Sequence, residues 1–425
     1  MSEHDLVITN GVCVTATDIA PLDVAVRDKK IILLAPSGSL KMAATKRLID
    51  AKGGYVIPGG VDCHVHLQEP SMFGKGSSAD TYKTGTRSAI VGGTTTIVAF
   101  ALQQKKLDSV LIALAETHEL ARNNSYCDYG FHLLFEQLAS TEGVTSLKIY
   151  MTYEALQLRD NEILSVLLEA RRNYILTMIH TENGDVLAWL TEQLETAKLF
   201  APKYHGHSHA PILESEAMNR AIALSQLVAD TPILLVHISE PAAALLIRAA
   251  QTAGQPIFAE IYPQYLLLTR NDLDQPGLEG AKCVCAPPPR NPEDQKAIWR
   301  GLRNGTFAML RDMAEEYPVG RFRHIPNGIP GIETRMPLAF SARKMEMTKF
   351  VEVTSINAAK LYGLYPRKGG LMPGVSDADL VIWYPDGKLG DVVWDRDGGG
   401  IVGDKSYGEF LKRQKSSLNG VWDTL

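Results

Sequence analysis

At Val56-Ile57-Pro58-Gly59-Gly60-Val61-Asp62-Cys63-His64-Val65-His66 the pattern of the sequence changes. Short apolar runs separated by turns precede it, which is typical of a small β-sandwich. Apolar strands that alternate with helical stretches follow it, which indicates a parallel sheet. The stretch ends in His64 and His66, and alternate residues of a strand point to the same face. The two imidazoles therefore either bind one metal ion from one side or are unrelated histidines at a strand end.

The repeated strand–helix alternation predicts an α/β fold with a (β/α)8 TIM-like barrel over residues 58–371. An open doubly wound sheet is the alternative, but no Gly-x-Gly-x-x-Gly pattern follows a strand. A β run at residues 378–383 matches those near the N-terminus, so residues 1–57 and 372–390 are predicted to form one β-sandwich domain from both chain ends. Residues 391–425 are predicted to be a polar, glycine-rich C-terminal tail.

Composition narrows the class of protein. The chain has 425 residues, of which 45% are hydrophobic and 21% charged, as in ordinary globular proteins. A formal net charge of −5 gives no indication of nucleic-acid binding. No apolar run reaches the roughly 20 residues that span a bilayer, and the N-terminus does not resemble a signal peptide. Five cysteines without a Cys-x-x-Cys pair predict a reduced, cytoplasmic protein, with Cys283 and Cys285 on a core strand that runs to Ala286.

Three further polar residues, Lys148, His180 and His237, lie within or at the end of apolar strands. Burying such a group costs several kcal/mol unless it is paired. A single buried histidine is usually a satisfied core residue. Functional residues of a barrel lie at the C-terminal ends of its strands, so four histidines and a lysine in these places favour a metal centre.

Lys148 differs from the histidines because an ammonium group cannot bind a cation. A buried lysine tends to lose its proton, and a neutral amine can react with carbon dioxide to give a carbamate. The carbamate is a two-oxygen anion that can bridge two metal ions. The alternative is a lysine paired with a nearby carboxylate.

Several longer motifs occur in a familiar order along nearly the whole chain. They lie at residues 56–66, 92–96, 148–153, 180–185, 216–221, 236–239, 262–266, 325–331 and 373–380. On these motifs the chain resembles the cyclic amidohydrolases, in particular the dihydropyrimidinase and hydantoinase family. The resemblance implies the same barrel fold and a binuclear zinc centre. His64 and His66 would bind one Zn2+, His180 and His237 the other, and carboxylated Lys148 would bridge the two ions.

The resemblance also implies a reaction. Tyr153 matches the tyrosine that stabilises the oxyanion, and Asn327 and the position of Ala286 match substrate-binding positions. The expected activity is zinc-dependent hydrolysis of the cyclic amide bond of dihydropyrimidines (5,6-dihydrouracil and dihydrothymine to N-carbamoyl-β-amino acids) or of related hydantoins. That implies a hydrolase of pyrimidine catabolism, a small cyclic ureide or imide as substrate, a homotetramer, and no nucleic-acid or membrane partner.

One departure from the family pattern concerns catalysis. The family has a Ser-Asp-His motif at strand 8 whose aspartate binds zinc and acts as the general acid/base, and this chain lacks the motif. Asp312 is the nearest candidate for both roles, and the alternative is that it is a surface carboxylate. General acid–base groups typically contribute 10²–10⁴-fold to the rate. The second hypothesis for the protein is therefore a catalytically impaired or silent scaffold, like the collapsin response mediator proteins.

Other departures are local. Only residues 136–145 separate Phe135 from the strand that begins at Ser146, which is short for a parallel crossover. This shortening is either genuine trimming or an incomplete gene model. Tyr262 stands where the family usually has cysteine, and Ala286 where it usually has serine. His207 and His209 are expected to be loop histidines rather than ligands of a third metal ion.

Overall fold

A computed structural model of the chain describes residues 4–69, 78, 80–102, 110–134, 145–228, 231–277, 279–310, 321–325, 327–329, 331–384 and 400–403. The described residues separate into two compact units. Unit 1 draws on Met1–Val61, Ser88–Thr96 and Glu333–Leu425, and unit 2 on Asp62–Arg87 and Ile97–Ile332. The domain boundaries expected from the sequence stay a prediction.

The strands are, in chain order, β1 Leu6–Val14, β2 Ile19–Arg27, β3 Lys30–Pro36, β4 Leu48–Asp50, β5 Tyr55–Pro58, β6 Gly60–Val65, β7 Thr94–Leu102, β8 Asp128–Leu134, β9 Ser146–Tyr150, β10 Leu176–His180, β11 Ile233–Leu235, β12 Ile257–Ile261, β13 Met309–Leu310, β14 Leu380–Tyr384 and β15 Gly400–Gly403.

The α-helices are α1 Tyr82–Val91, α2 Val110–Ala121, α3 Asp160–Arg172, α4 Gly184–Thr196, α5 His205–Ser208, α6 Pro211–Leu227, α7 Pro241–Thr252, α8 Pro263–Leu267, α9 Pro292–Arg303, α10 Arg335–Ser341, α11 Met347–Val351 and α12 Asn357–Leu361. Short 3-10 turns occur at Pro202–Tyr204, Arg270–Leu273, Glu279–Cys283 and Phe322–His324, and a π-helical turn at Glu352–Ile356. Within the described part of the chain, none of these helices is long and apolar enough to cross a membrane.

The sheet of unit 1 is built from both ends of the chain. Its strand order is β15-β14-β5-β1-β2-β3, with β4 paired to β1. The pairs β1–β2 and β5–β14 are antiparallel, and Leu380 lies opposite Pro58. Side chains including Ile8, Val24, Ile31 and Ile382 form its core. The prediction of a small β domain built from both chain ends is confirmed. The rest of the predicted tail, apart from β15, lies outside the described residues.

The sheet of unit 2 contains eight strands in consecutive order, from β6 to β13. Neighbouring strands from β8 to β13 pair in parallel. Every residue of β6, β9 and β10 is buried, as expected for parallel strands that are covered on both faces. The prediction of a TIM-like barrel is confirmed.

The structure tests two expectations about individual strands. The short segment before β9 does not prevent parallel pairing, because Leu133 of β8 lies opposite Leu147 of β9. The prediction of a core strand from Cys283 to Ala286 is wrong, since a 3-10 turn ends at Cys283 and irregular chain follows. Three consecutive prolines begin at residue 287. Because proline has no N–H to give to a ladder, this segment cannot continue as an interior strand.

Candidate active site

The five residues of the predicted metal centre all lie near the C-terminal ends of strands in unit 2. His64 is on β6, His66 follows it, Lys148 is on β9, His180 ends β10, and His237 lies two residues beyond β11. All five side chains are buried. The C-terminal ends of parallel barrel strands meet at one face of the barrel, so residues far apart in sequence are brought to the same place.

The four histidine rings form a continuous group. The ring centroids of His64 and His66 are 5.5 Å apart, those of His64 and His237 are 5.9 Å apart, and those of His180 and His237 are 4.4 Å apart. Lys148 pairs in register with Met178 of β10, and its Nζ lies 5.3 Å from the centre of the Tyr150 ring. Burial, with His180 and Lys148 nearby, holds the pKa of His237 well below its usual value.

His180 is held neutral by the same physical cause. Burial lowers the pKa of His180 more than the adjacent Glu182 carboxylate raises it. Neutral imidazoles keep a nitrogen lone pair, which is the form that binds metal ions. His180 and His237 therefore have the protonation state of ligands at neutral pH.

Three of the histidines are oriented by carboxylates. His64 Nδ1 lies 2.5 Å from Glu260 Oε1. His66 Nδ1 lies 2.8 Å from Glu69 Oε2, and His180 Nε2 lies 2.8 Å from Glu182 Oε2. Metal-binding histidines usually give their second ring nitrogen to such a carboxylate, which fixes the tautomer and the ring orientation.

These three carboxylates were not among the site residues predicted from the sequence. Glu260 offered the same signal as the histidines, because it is an acidic residue inside the apolar strand β12. Glu69 lies three residues after His66, and Glu182 lies two residues after His180. These side chains come into contact only because the chain turns after each strand, which the spacing alone does not show. Glu182 and Glu260 are completely buried, so the oriented rings are also shielded from water.

Two imidazole nitrogens offer a direct test of whether a metal ion fits. His66 Nε2 and His237 Nδ1 are buried and have no hydrogen-bond partner among the described residues. A buried polar atom without a partner costs about 1–3 kcal/mol. A metal ion would satisfy such nitrogens, so the donor set fits a site for divalent cations.

The predicted substrate-binding residues lie beside this group. The Tyr153 ring centroid is 5.3 Å from that of His180, and Asn327 Nδ2 donates to the Tyr153 hydroxyl oxygen at 3.1 Å. The Ala286 N–H donates to the Asn327 carbonyl oxygen at 3.4 Å. Tyr153 and Asn327 also line a cavity of about 980 Å³. The three positions are therefore linked to one another by hydrogen bonds.

Backbone strain accompanies two of these residues. Tyr153 and His237 have φ angles of 64° and 45°, in the left-handed region that residues with side chains rarely adopt. Such conformations cost energy and cluster at functional sites, where the surrounding structure imposes them. Asp312, the candidate general base, lies outside the described residues, and its role stays a prediction.

The histidines near residue 207 divide into two kinds. His207 is exposed but lies in helix α5, so the prediction of a loop histidine is wrong for this residue. His209 is buried, and its Nδ1 lies 2.8 Å from Glu182 Oε1. Burial alone would raise the pKa of Glu182, but His209 and His180 hold it well below the usual value. Glu182 is therefore an ionised carboxylate between two imidazoles, and His209 extends the site by one further residue.

Known proteins resemble this chain over most of its length. A model of the amidohydrolase family matches residues 55–403. The D-hydantoinase of Streptomyces coelicolor is 39% identical over 403 residues, which cover 89% of this chain and 85% of that protein. The D-hydantoinase of Ralstonia pickettii is 35% identical, and the match covers 97% of this chain and 99% of that protein. The crystal structure of dihydropyrimidinase from Brevibacillus agri has a TM-score of 0.83 and 38% identity, with 88% and 85% of the two chains covered.

Proposed function

Because this chain belongs to the amidohydrolase family and is a cyclic amidohydrolase, we propose that it is a zinc-dependent enzyme. Its substrates would be dihydropyrimidines, such as 5,6-dihydrouracil and dihydrothymine, or related hydantoins. The observation that carries the proposal is the convergence of four buried histidines and Lys148 at the C-terminal ends of the barrel strands. The reaction would open the ring by hydrolysis of one cyclic amide bond.

The proposed metal centre takes two zinc ions. His64 and His66 would bind one ion, His180 and His237 the other, and Lys148 would bridge them as a carbamate. The burial of Lys148 supports this modification, because burial favours the neutral amine that reacts with carbon dioxide. Zinc ions in such a site supply Lewis-acid polarisation of the carbonyl and an acidified water.

Tyr153 and Asn327 have complementary roles in the proposed reaction. Asn327 Nδ2 donates to the Tyr153 oxygen, and this contact orients the phenol. The Tyr153 hydroxyl can then donate its own hydrogen to the carbonyl oxygen of the substrate as negative charge develops there. A fixed donor aimed at developing charge is typically worth 10²–10³ in kcat. Asn327 and Ala286 would contact the amide face of the ring beside this donor.

The alternative of a silent scaffold is not favoured. Three carboxylates are hydrogen-bonded to histidines of the site, which is the arrangement usual for histidines that bind a metal ion. The similarity to proteins named D-hydantoinase supports the enzyme as well. Asp312 is proposed as the general base, and pyrimidine catabolism, a cytoplasmic location and a homotetramer are proposed with the function.

The test combines metal content with activity. Zinc is measured by elemental analysis on the purified chain, on His64→Ala and on His118→Ala, and ring opening is followed with dihydrouracil and hydantoin. His118 is an exposed histidine of α2 and serves as the matched control. We expect about two zinc ions per chain in the parent and the control, and loss of bound zinc and activity in His64→Ala. Unchanged zinc content in His64→Ala would refute the assignment.

A further inference from the structure

Tyr262 brings a hydroxyl group into contact with the proposed zinc ligands. It follows β12 directly, and its side chain is completely buried. The hydroxyl oxygen lies 3.0 Å from Nε2 of His64. The ring also packs against His64 and His237, with centroid distances of 5.5 and 5.4 Å. These contacts fix the phenol in one position, so the Tyr262 hydroxyl is held against Nε2 of His64.

The hydrogen on each nitrogen of His64 follows from its partners. Glu260 Oε1 lies 2.5 Å from Nδ1, and a carboxylate accepts hydrogen bonds but cannot donate them. In the neutral ring, Nδ1 therefore carries the hydrogen and Nε2 carries the lone pair. Tyr262 must then be the donor, with its O–H directed at the lone pair of Nε2.

Nε2 has a single lone pair, and it is the atom of His64 that is left for a metal ion. A nitrogen whose lone pair accepts a hydrogen bond cannot use the same pair to bind zinc. We propose that Tyr262 is an intramolecular competitor of the metal ion for His64 Nε2. It positions the ring in the metal-free chain, and its hydrogen bond is given up when an ion binds. This inference rests on the proposed function.

The competition has a measurable consequence for affinity. A hydrogen bond that is present only in the metal-free chain lowers the apparent affinity for zinc by the free energy of that bond. For Tyr262→Phe we expect about fivefold tighter zinc binding, which corresponds to about 1 kcal/mol at 1.4 kcal/mol per tenfold change. The same variant should lower the Tm of the metal-free chain more than that of the zinc-loaded chain.

The experiment titrates Zn2+ into the metal-stripped full chain in competition with a chromogenic chelator. Tyr265→Phe is the matched control, because Tyr265 is also buried and stacks on Tyr262 at 5.8 Å. Its hydroxyl donates instead to the Pro287 carbonyl at 2.8 Å. The control should therefore change stability but leave the zinc affinity unchanged. Tyr262→Leu also lacks the hydroxyl and should bind zinc more tightly, which provides a second variant if the first fails to fold.

The outcomes separate this inference from the function on which it rests. Tighter zinc binding in the Tyr262 variants alone supports the competition. Equal zinc affinity in folded Tyr262→Phe and in the parent would overturn the competition but leave the proposed zinc centre intact. Weaker zinc binding in Tyr262→Phe would also overturn it, because the hydroxyl would then be acting as a zinc ligand. If neither the parent nor any variant binds zinc, the proposed metal centre and the competition both fail.

Discussion

Glu182→Gln is expected to weaken both the fold and zinc binding. Glu182 is completely buried, and each of its oxygens lies 2.8 Å from an imidazole nitrogen, Nε2 of His180 and Nδ1 of His209. Its pKa lies well below the usual value, because His209 and His180 outweigh the effect of burial, so the side chain is an anion at neutral pH. Glutamine has nearly the same shape, but it removes the charge and one of the two acceptor oxygens.

The magnitude follows from these two contacts. A hydrogen bond to a charged group contributes about 1.5–3 kcal/mol, and a neutral one about 1 kcal/mol. Glutamine can keep one neutral hydrogen bond, and it presents its NH2 group to the other imidazole. We expect the free energy of unfolding of the metal-free chain to fall by about 2–5 kcal/mol. Loss of a carboxylate that orients a metal ligand typically costs 10–100-fold in metal affinity, which is the change expected for zinc.

Urea unfolding of the metal-free chain and chelator competition with Zn2+ measure the two effects of Glu182→Gln. Glu119→Gln is the control, because Glu119 is 67% exposed and its ion pair with Arg122, at 3.1 Å, lies at the surface. Such pairs contribute about 0–1 kcal/mol. If Glu182→Gln changed stability no more than the control and left the zinc affinity unaltered, the role given to the buried carboxylate would be refuted.

Two further predictions concern catalysis and pH. Tyr153→Phe should lower kcat about 10²–10³-fold with unchanged zinc content, because it removes the oxyanion donor. The control in a steady-state assay is Tyr174→Phe, since Tyr174 is 94% exposed. A kcat as little affected as in that control would argue against the role of Tyr153. Asp377→Asn should destabilise the chain by roughly 1 kcal/mol at pH 7. Asp377 forms ion pairs with three cations, Lys30, Lys368 and Arg367. Burial would raise the pKa of Asp377, but these cations lower it below its ordinary value of 3.8. The stabilisation is therefore complete at neutral pH and is lost as the pH falls below about 4. Urea unfolding should show that the difference in free energy of unfolding between the parent and Asp377→Asn shrinks in acid. A difference that stays constant from pH 7 to pH 3 would contradict this prediction.

The fold was predictable because its signals are local. Buried parallel strands occur in the sequence as continuous apolar runs, and the helices between them begin and end at recognisable residues. The error at Cys283 to Ala286 arose because a short apolar run does not by itself distinguish a strand from buried irregular chain. There the run precedes consecutive prolines, and the tertiary structure provides eight barrel strands without it.

The residues proposed to bind metal could also be named from the sequence, since a histidine or lysine inside an apolar strand stands out against its neighbours. Their partners could not be named in the same way. Glu260 approaches His64 across 196 positions of sequence, and Tyr262 does so across 198. His209 seemed to belong to a surface loop and proved to be a buried partner of Glu182.

The barrel, the β domain shared by the two chain ends, and the polar residues that the strands carry into the interior could all be predicted from the order of the amino acids. The folded chain was needed to show which carboxylate orients each histidine and which hydroxyl faces His64 Nε2. This difference arises from the range of the interactions. Burial and strand formation depend on a residue and its near neighbours, whereas a hydrogen bond depends on atoms within about 3 Å, and in a barrel those atoms come from strands that are distant along the chain.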